Sequence, residues 1–220
     1  MLPIQTMLAY CSGFLNMRVD PTKPDAERLF EIAESQQGYF STAQAVASGY
    51  ARSTHSYHVE AGNWVREHRG VYRLRRYPRT DEGLLVVWSL WSRDREGRPH
   101  GVYSHLTALA IKDLSDANPA RLDMTVPPDF RRRSEVPAIL VLHKAQLAPD
   151  EIVQGSGYAL TRPMRAVMDL AVSGEADRDL IAQAFREGKS RGLITRKQID
   201  AACSRPDIPS WLRRLLEGRV

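Results

Sequence analysis

The stretch from Ser41 to Tyr77, STAQAVASGYARSTHSYHVEAGNWVREHRGVYRLRRY, decides the fold. A short helical run meets a corner at Gly49, a second run ends at Gly62, and alternation of period two follows on either side of Arg69-Gly70. Glycine takes the left-handed backbone conformation that stops helices and closes tight hairpins, so these residues act as punctuation. The order predicts a helix-turn-helix followed by a β-hairpin, the winged form that offers one helix to a duplex groove and a basic hairpin to the backbone beside it. On the hairpin, Tyr72 and Leu74 fall on one side of a strand and Arg73 and Arg75 on the other.

Charge follows the same register. Between Ala51 and Arg79, seven arginines (Arg52, Arg66, Arg69, Arg73, Arg75, Arg76 and Arg79) oppose Glu60 and Glu67, a net of plus five that equals the excess of the whole chain. The remainder is near neutral, and a basic segment in a neutral protein is the footprint of a nucleic-acid face. An arginine run is also what an ordinary solvated surface looks like. What favours the functional reading is that corner, helix and hairpin fall on one supersecondary unit. Ser53 and Thr54 follow Arg52 where hydroxyls can cap free N–H groups and where a recognition helix carries its base-reading side chains. Arg52, Ser53, Thr54, Ser56 and Tyr57 are therefore expected to make base-edge or adjacent contacts. Arg66, Arg69, Arg73, Arg75 and Arg76 are expected at phosphates or the minor groove.

Within that helix, His55, His58 and Val59 lie on the face that should meet the core. Two imidazoles in place of aliphatic side chains imply a pH-sensitive helix. As metal ligands, with His68 as a third, they lack a cysteine or carboxylate at convincing spacing, and no metal or other cofactor is expected.

The chain has 220 residues, 43% of them hydrophobic, enough for a core and for two small domains. Apolar runs are too short to span a bilayer, and Cys11 and Cys203 stand alone, which points to a soluble, cytoplasmic protein without a disulfide framework. Residues 1–24 read as a leader of unknown status, 25–79 as the winged unit, 80–203 as a second mixed α/β domain, and 204–220 as a tail. In the first, Leu29, Phe30, Ile32 and Ala33 form the stripe of a helix beginning at Asp25. In the second, helices are expected at Asp81–Trp91, at Val102–Leu114 with Ser104 as cap, at Arg178–Lys189 and at Thr195–Ala202. Strands are expected at Leu122–Val126, Pro137–His143 and Tyr158–Leu160, and Thr161 should cap a helix with proline in its first turn. The fold class is α+β.

The run SGYARSTHSYHVEAGNWVREHRGVYRL resembles the N-terminal winged-helix domain of AbiEi-type antitoxins, with its glycine turn, Ser-Thr helix and Arg-Gly-Val-Tyr-Arg-Leu strand. YSHLTALAIKDL and TRPMRAVMDLA, with Thr161, Pro163, Arg165 and Asp169, are similar to the family's later segments. The resemblance implies a bacterial transcriptional regulator of a type IV toxin-antitoxin system. Such a regulator binds inverted repeats in double-stranded DNA at its own promoter, as a dimer or on paired half-sites, represses the operon and opposes a nucleotidyltransferase-like toxin. The alternative reading is a protein-binding module that docks a toxin or other acidic partner through the winged unit.

Enzymatic readings fare worse. Gly155-Ser156 is not followed by the Asp-x-Asp of a nucleotidyltransferase, and Glu187-Gly188-Lys189, the letters of a nuclease motif, ends a helical stretch without a preceding strand. Asp169 is better explained as capping, pairing with Arg165 at i, i+4, or anchoring the helix. No enzyme is expected. The triplet Arg131 to Arg133 is an open candidate for a second DNA contact.

Overall fold

The computed structural model describes residues 23–94, 96–132 and 134–219; residues 1–22 of the segment read as a leader, with Cys11, and Arg133 lie outside them. The chain is mixed α+β with two sheets. The first unit runs α1 (Ala26–Glu34), β1 (Tyr39–Ser41), α2 (Thr42–Ala47), a 3-10 turn at Arg52–Thr54, α3 (His55–Glu60), β2 (Trp64–His68) and β3 (Val71–Leu74). Its antiparallel sheet has the order β1-β3-β2. Asp25 caps α1 by accepting from the Arg28 N–H at 2.9 Å, and a reciprocal Ser41–Gln44 box caps α2. The strand β1, too short to show a period, was not expected from the sequence; it exists because Phe40 pairs with Tyr72 across the sheet. Of the α1 stripe, Leu29 and Ala33 are buried, while Phe30 stays 46% exposed and lies against Tyr77.

Beyond Pro78, α4 (Asp81–Trp91) is capped by Thr80 as a helix at that place should be. Then come β4 (Val102–Tyr103), α5 (His105–Ile111), β5 (Leu122–Val126), β6 (Leu140–Lys144), β7 (Ile152–Gln154) and β8 (Ala159–Thr161). Four helices close the chain: α6 (Pro163–Ser173), α7 (Arg178–Ser190), α8 (Arg196–Cys203) and α9 (Ser210–Leu216). The second sheet has the order β6-β5-β4-β8-β7 and is parallel at β5/β6 and β4/β8. The helix expected at Val102 begins instead at His105, because Val102 and Tyr103 are taken into the sheet between β5 and β8. Ser104 is its N-cap residue as expected. Thr161 does not cap α6: it ends β8, and Arg162 takes the cap position with Pro163 at N1. Within the C-terminal tail, α9 buries Leu212 and Leu216 in the core formed by α5 to α8.

The layers follow from burial. Leu29, Phe40, Tyr50, Trp64 and Tyr72 pack between α1–α3 and one face of the first sheet. Tyr39 and Val71, on the other face, join Leu85, Val86, Leu90 and Trp91 of α4 and then Tyr103, Met124, Leu140 and Leu160 of the second sheet. Seven of the eleven residues of α4 are buried, so this helix is a shared slab between two sheets rather than a surface helix of either half. Gly83 lets it approach: a Cβ there would sit 2.6 Å from the Tyr39 ring and hydroxyl.

Two expectations follow. Gly83→Ala gains helix propensity of about 1 kcal/mol, but overpacking against Tyr39 costs about 1 to 3 kcal/mol, so the variant should unfold at lower urea than the parent. The second concerns His58, whose ring stacks on Trp64 at 4.6 Å and whose protonation burial holds down, helped by the neighbouring His55. A base with its folded pKa depressed leaves stability intact above the unfolded value near 6.5 and loses it as pH falls through that value. The urea midpoint should therefore drop between about pH 7.5 and about pH 5.5, and drop less in His58→Phe, which keeps the stack without the proton. Equal drops in both proteins would acquit this histidine.

Candidate nucleic-acid interface

The turn at Arg52–Thr54 and α3 form one continuous stretch whose inner side is fixed by aromatic contacts. His55 is buried, its Nε2 lies 3.1 Å from the Tyr50 carbonyl, and its ring meets Trp64 and Tyr72 edge-on. Gly49, with φ of +84°, makes the corner that brings this stretch across α2, and its position against the Lys23 carbonyl leaves little space for a Cβ. Gly62, with φ of +74°, ends it. The opposite side is solvent: Arg52, Ser53, Thr54, Ser56 and Tyr57 are all exposed, Tyr57 by 64%. An aromatic ring left that open on a helix held by its other face is available to a partner. Thr54 is the N-cap residue of α3 but its hydroxyl makes no cap bond, donating back instead to the Ala51 carbonyl at 2.8 Å, and Ser53 makes none either.

The hairpin turns at Arg69-Gly70 as its sequence implies, with Gly70 at φ of +73° and His68 paired with Val71. Its tip does not project freely. The Gly70 carbonyl accepts from the Thr42 N–H at 3.0 Å and from Arg93 Nη2 at 3.1 Å, which ties it to the start of α2 and the segment after α4. Trp64 and Arg66 share the face of Tyr72 by ordinary alternation, and the register shift between Arg66 and His68 turns His68 to the other face, toward Trp88 of α4. His68 thus lies on the opposite face from His55 and His58, and the three do not converge.

Arg73 needs correction as a phosphate-contact residue. It lies on the sheet face that α4 covers, with its side chain 11% exposed, its Nε 2.7 Å from Glu67 Oε1 and its Nη1 donating to the Tyr77 carbonyl. Reading the strand as one-sided made Arg73 a solvent residue; the second half of the chain makes that face interior. Burial and the Glu67 charge also raise the phenol pKa of Tyr39, over whose ring the guanidinium lies. The other cations stay outside. Arg52, Arg66, Arg69, Arg75 and Arg76 are exposed and make no ion pair among the described residues, whereas Arg79 sits 3.9 Å from the already engaged Glu67.

Their placement is partly resolved by the sheet. Arg66 lies opposite Tyr72, one of the rings on which His55 rests, so Arg66 and the first turn of α3 are on the same side of the sheet. Arg75 follows β3 and its N–H reaches the Asn63 carbonyl at 3.1 Å, putting Arg75 and Arg76 where α3 hands over to β2. Arg69 is at the hairpin tip. Arg132, of the triplet at 131–133, does not form a second free patch: it stacks over Trp91 at 4.9 Å and donates to the Arg93 carbonyl at 2.8 Å.

Among the described residues no helix is long and apolar enough to cross a membrane. No curated protein matches the chain. The unit from α1 to the end of the hairpin, residues 27–75, matches the family model described as transcriptional regulator, AbiEi antitoxin.

Proposed function

We infer that the N-terminal unit is a winged helix-turn-helix and that the protein is a DNA-binding transcriptional regulator of antitoxin type that represses its own operon. One observation supports this above the others. The outward side of the stretch from Arg52 to Glu60 is wholly exposed, and five guanidinium groups without an ion pair among the described residues surround it or follow it in the hairpin. Unpaired surface arginines that are neither neutralised nor packed are suited to displacing counterions from a phosphate backbone. In this reading Arg52, Ser53, Ser56 and Tyr57 face base edges, with Thr54 held to its own backbone beside them. Arg66, Arg69, Arg75 and Arg76 take phosphates. The partner is double-stranded promoter DNA with paired half-sites, and the functional counterpart is a nucleotidyltransferase-like toxin. No enzymatic step is assigned to the chain.

The test is a gel-shift or anisotropy titration with the DNA upstream of the gene, run at several salt concentrations. Arg52→Ala should weaken operator binding by about 1 to 3 kcal/mol and relax preference at one position. Arg66→Ala should weaken all sequences alike and reduce the salt slope by about one. Arg73→Ala should leave the slope alone and instead destabilise the fold by about 3 kcal/mol, because it leaves the buried Glu67 carboxylate with only the exposed Arg79 at 3.9 Å. Failure to bind duplex at low salt, or a salt slope that none of the exposed arginines alters, would remove the reading.

A further inference from the structure

The second sheet has one apolar and one polar face, and both are covered. Met124 and Val126 of β5, Leu140 of β6 and Leu160 of β8 turn toward α4. The alternate residues Asp123, Thr125 and Thr161 are also buried, with His143 half-buried among them. A layer that could be filled by aliphatic side chains is instead a hydrogen-bonded network, and buried polar groups at that density call for an explanation. Thr161 Oγ1 and Asp169 Oδ2 are buried there without a partner among the described residues. Two imidazoles stand at the centre. His105, the first residue of α5, holds φ of +51°, a left-handed conformation that a residue with a side chain rarely adopts. Its ring stacks on His143 at 3.7 Å with 17° between the planes.

Each ring has one nitrogen occupied. His143 Nε2 lies 2.9 Å from Asp123 Oδ1, and a carboxylate can only accept there, so Nε2 carries the proton and Nδ1 keeps its lone pair. Asp123 is itself held by the Thr107 hydroxyl, which donates to its Oδ2 at 3.4 Å and accepts from its N–H at 2.7 Å. His105 Nδ1 lies 2.9 Å from Ser104 Oγ, which accepts from Thr125 Oγ1 at 2.8 Å, so the nitrogen left over is Nε2. Outer partners of this kind fix the tautomer and orientation of imidazoles that bind metals. One nitrogen of each histidine and a Glu175 carboxylate oxygen lie within 4.8 Å of one another. Glu175, just after the end of α6, is exposed.

We propose that His105, His143 and Glu175 form a binding site for a divalent transition-metal ion of the zinc class. Two imidazoles and one carboxylate are a donor set suited to zinc, and three protein ligands leave a coordination position for water or an anion. That position opens on the solvent side, where Glu175 stands. Lone pairs of two nearly parallel rings do not point at one spot, so binding requires a ring to rotate out of the stack about its Cβ–Cγ bond. The hydrogen bonds to Asp123 and Ser104 limit how far it turns. This site is independent of the DNA-binding reading, since neither α3 nor the hairpin contributes to it.

The experiment titrates the chelator-treated full-length chain with Zn²⁺ by calorimetry and with Co²⁺ by visible absorption, whose d–d bands report coordination. Saturation at one equivalent is expected, with a rise in melting temperature. Glu175→Gln, on an exposed residue that the fold does not depend on, should weaken Zn²⁺ binding at least tenfold and alter the Co²⁺ spectrum. His143→Asn should abolish binding, and Asp123→Asn should weaken it by about 10- to 100-fold through the loss of its hold on His143. Far-UV circular dichroism checks that each variant is folded; should His143→Asn fail that check, Glu175→Gln decides alone. Absence of saturable binding to the parent protein, or binding that Glu175→Gln leaves unchanged, overturns the site.

Discussion

The interaction on which the rest of the structure depends is the burial of α4 between two sheets. Most of its side chains enter apolar contacts on one side with Tyr39 and Val71 and on the other with Tyr103, Met124 and Leu160. At roughly 1.5 to 3 kcal/mol for each fully buried large aliphatic or aromatic side chain, Val86, Leu90 and Trp91 alone outweigh any single ion pair in the molecule. The consequence for function is directional. Because α4 occupies one face of the first sheet, that sheet can present nothing there, and the unit must meet any partner through the outward sides of α1 to α3, the edge strands or the turns.

This constraint explains where sequence reasoning succeeded and where it did not. The Gly49 corner, the Gly62 stop and the Arg69-Gly70 turn are local: each depends on a glycine conformation and on neighbours a few residues away, and the structure has all three. The same is true of α4, whose cap at Thr80 and apolar run lie within one stretch. The errors involve distance. Tyr39–Ser41 and Val102–Tyr103 become strands only because partners dozens of residues away accept their hydrogen bonds, and nothing within such short segments carries a period. Arg73 follows the same logic. Alternation correctly put it opposite Tyr72, but which side of a strand is solvent depends on what the remaining chain covers. The helix α9 was missed for a related reason: Ile208, Leu212 and Leu216 have apolar spacing, but only the groove left by α5 to α8 makes it worth burying.

The buried polar layer was still less legible. His105 and His143 are 38 positions apart in the chain, and neither sits in a motif with ligand spacing. Strand pairing alone places His143 opposite Thr125, and through Thr125 next to Ser104 and His105. A clue did exist in β5, where Leu-Asp-Met-Thr-Val alternates as a half-exposed strand would, although this strand is flanked on both sides by other strands. Alternation in an interior strand means that the polar face is either wet or occupied by a network, and here it is a network.

On the proposed DNA-binding reading, the same accounting bears on how many copies an operator would need. Five free arginines, if each neutralised one phosphate, would give a salt slope of about −4.5. That is a modest electrostatic grip. The outward residues from Arg52 to Tyr57 span little more than one turn of helix and can address only about three or four base pairs, whereas picking one site from a genome of millions of competing sites needs several more, at about 1 to 3 kcal/mol each. A single copy falls short on both counts. On the proposed DNA-binding reading the missing specificity would come from a second copy on a second half-site, and since the hairpin tip is fastened to α2 and to Arg93 rather than reaching outward, the spacing of those half-sites would be set by the rigid body as a whole.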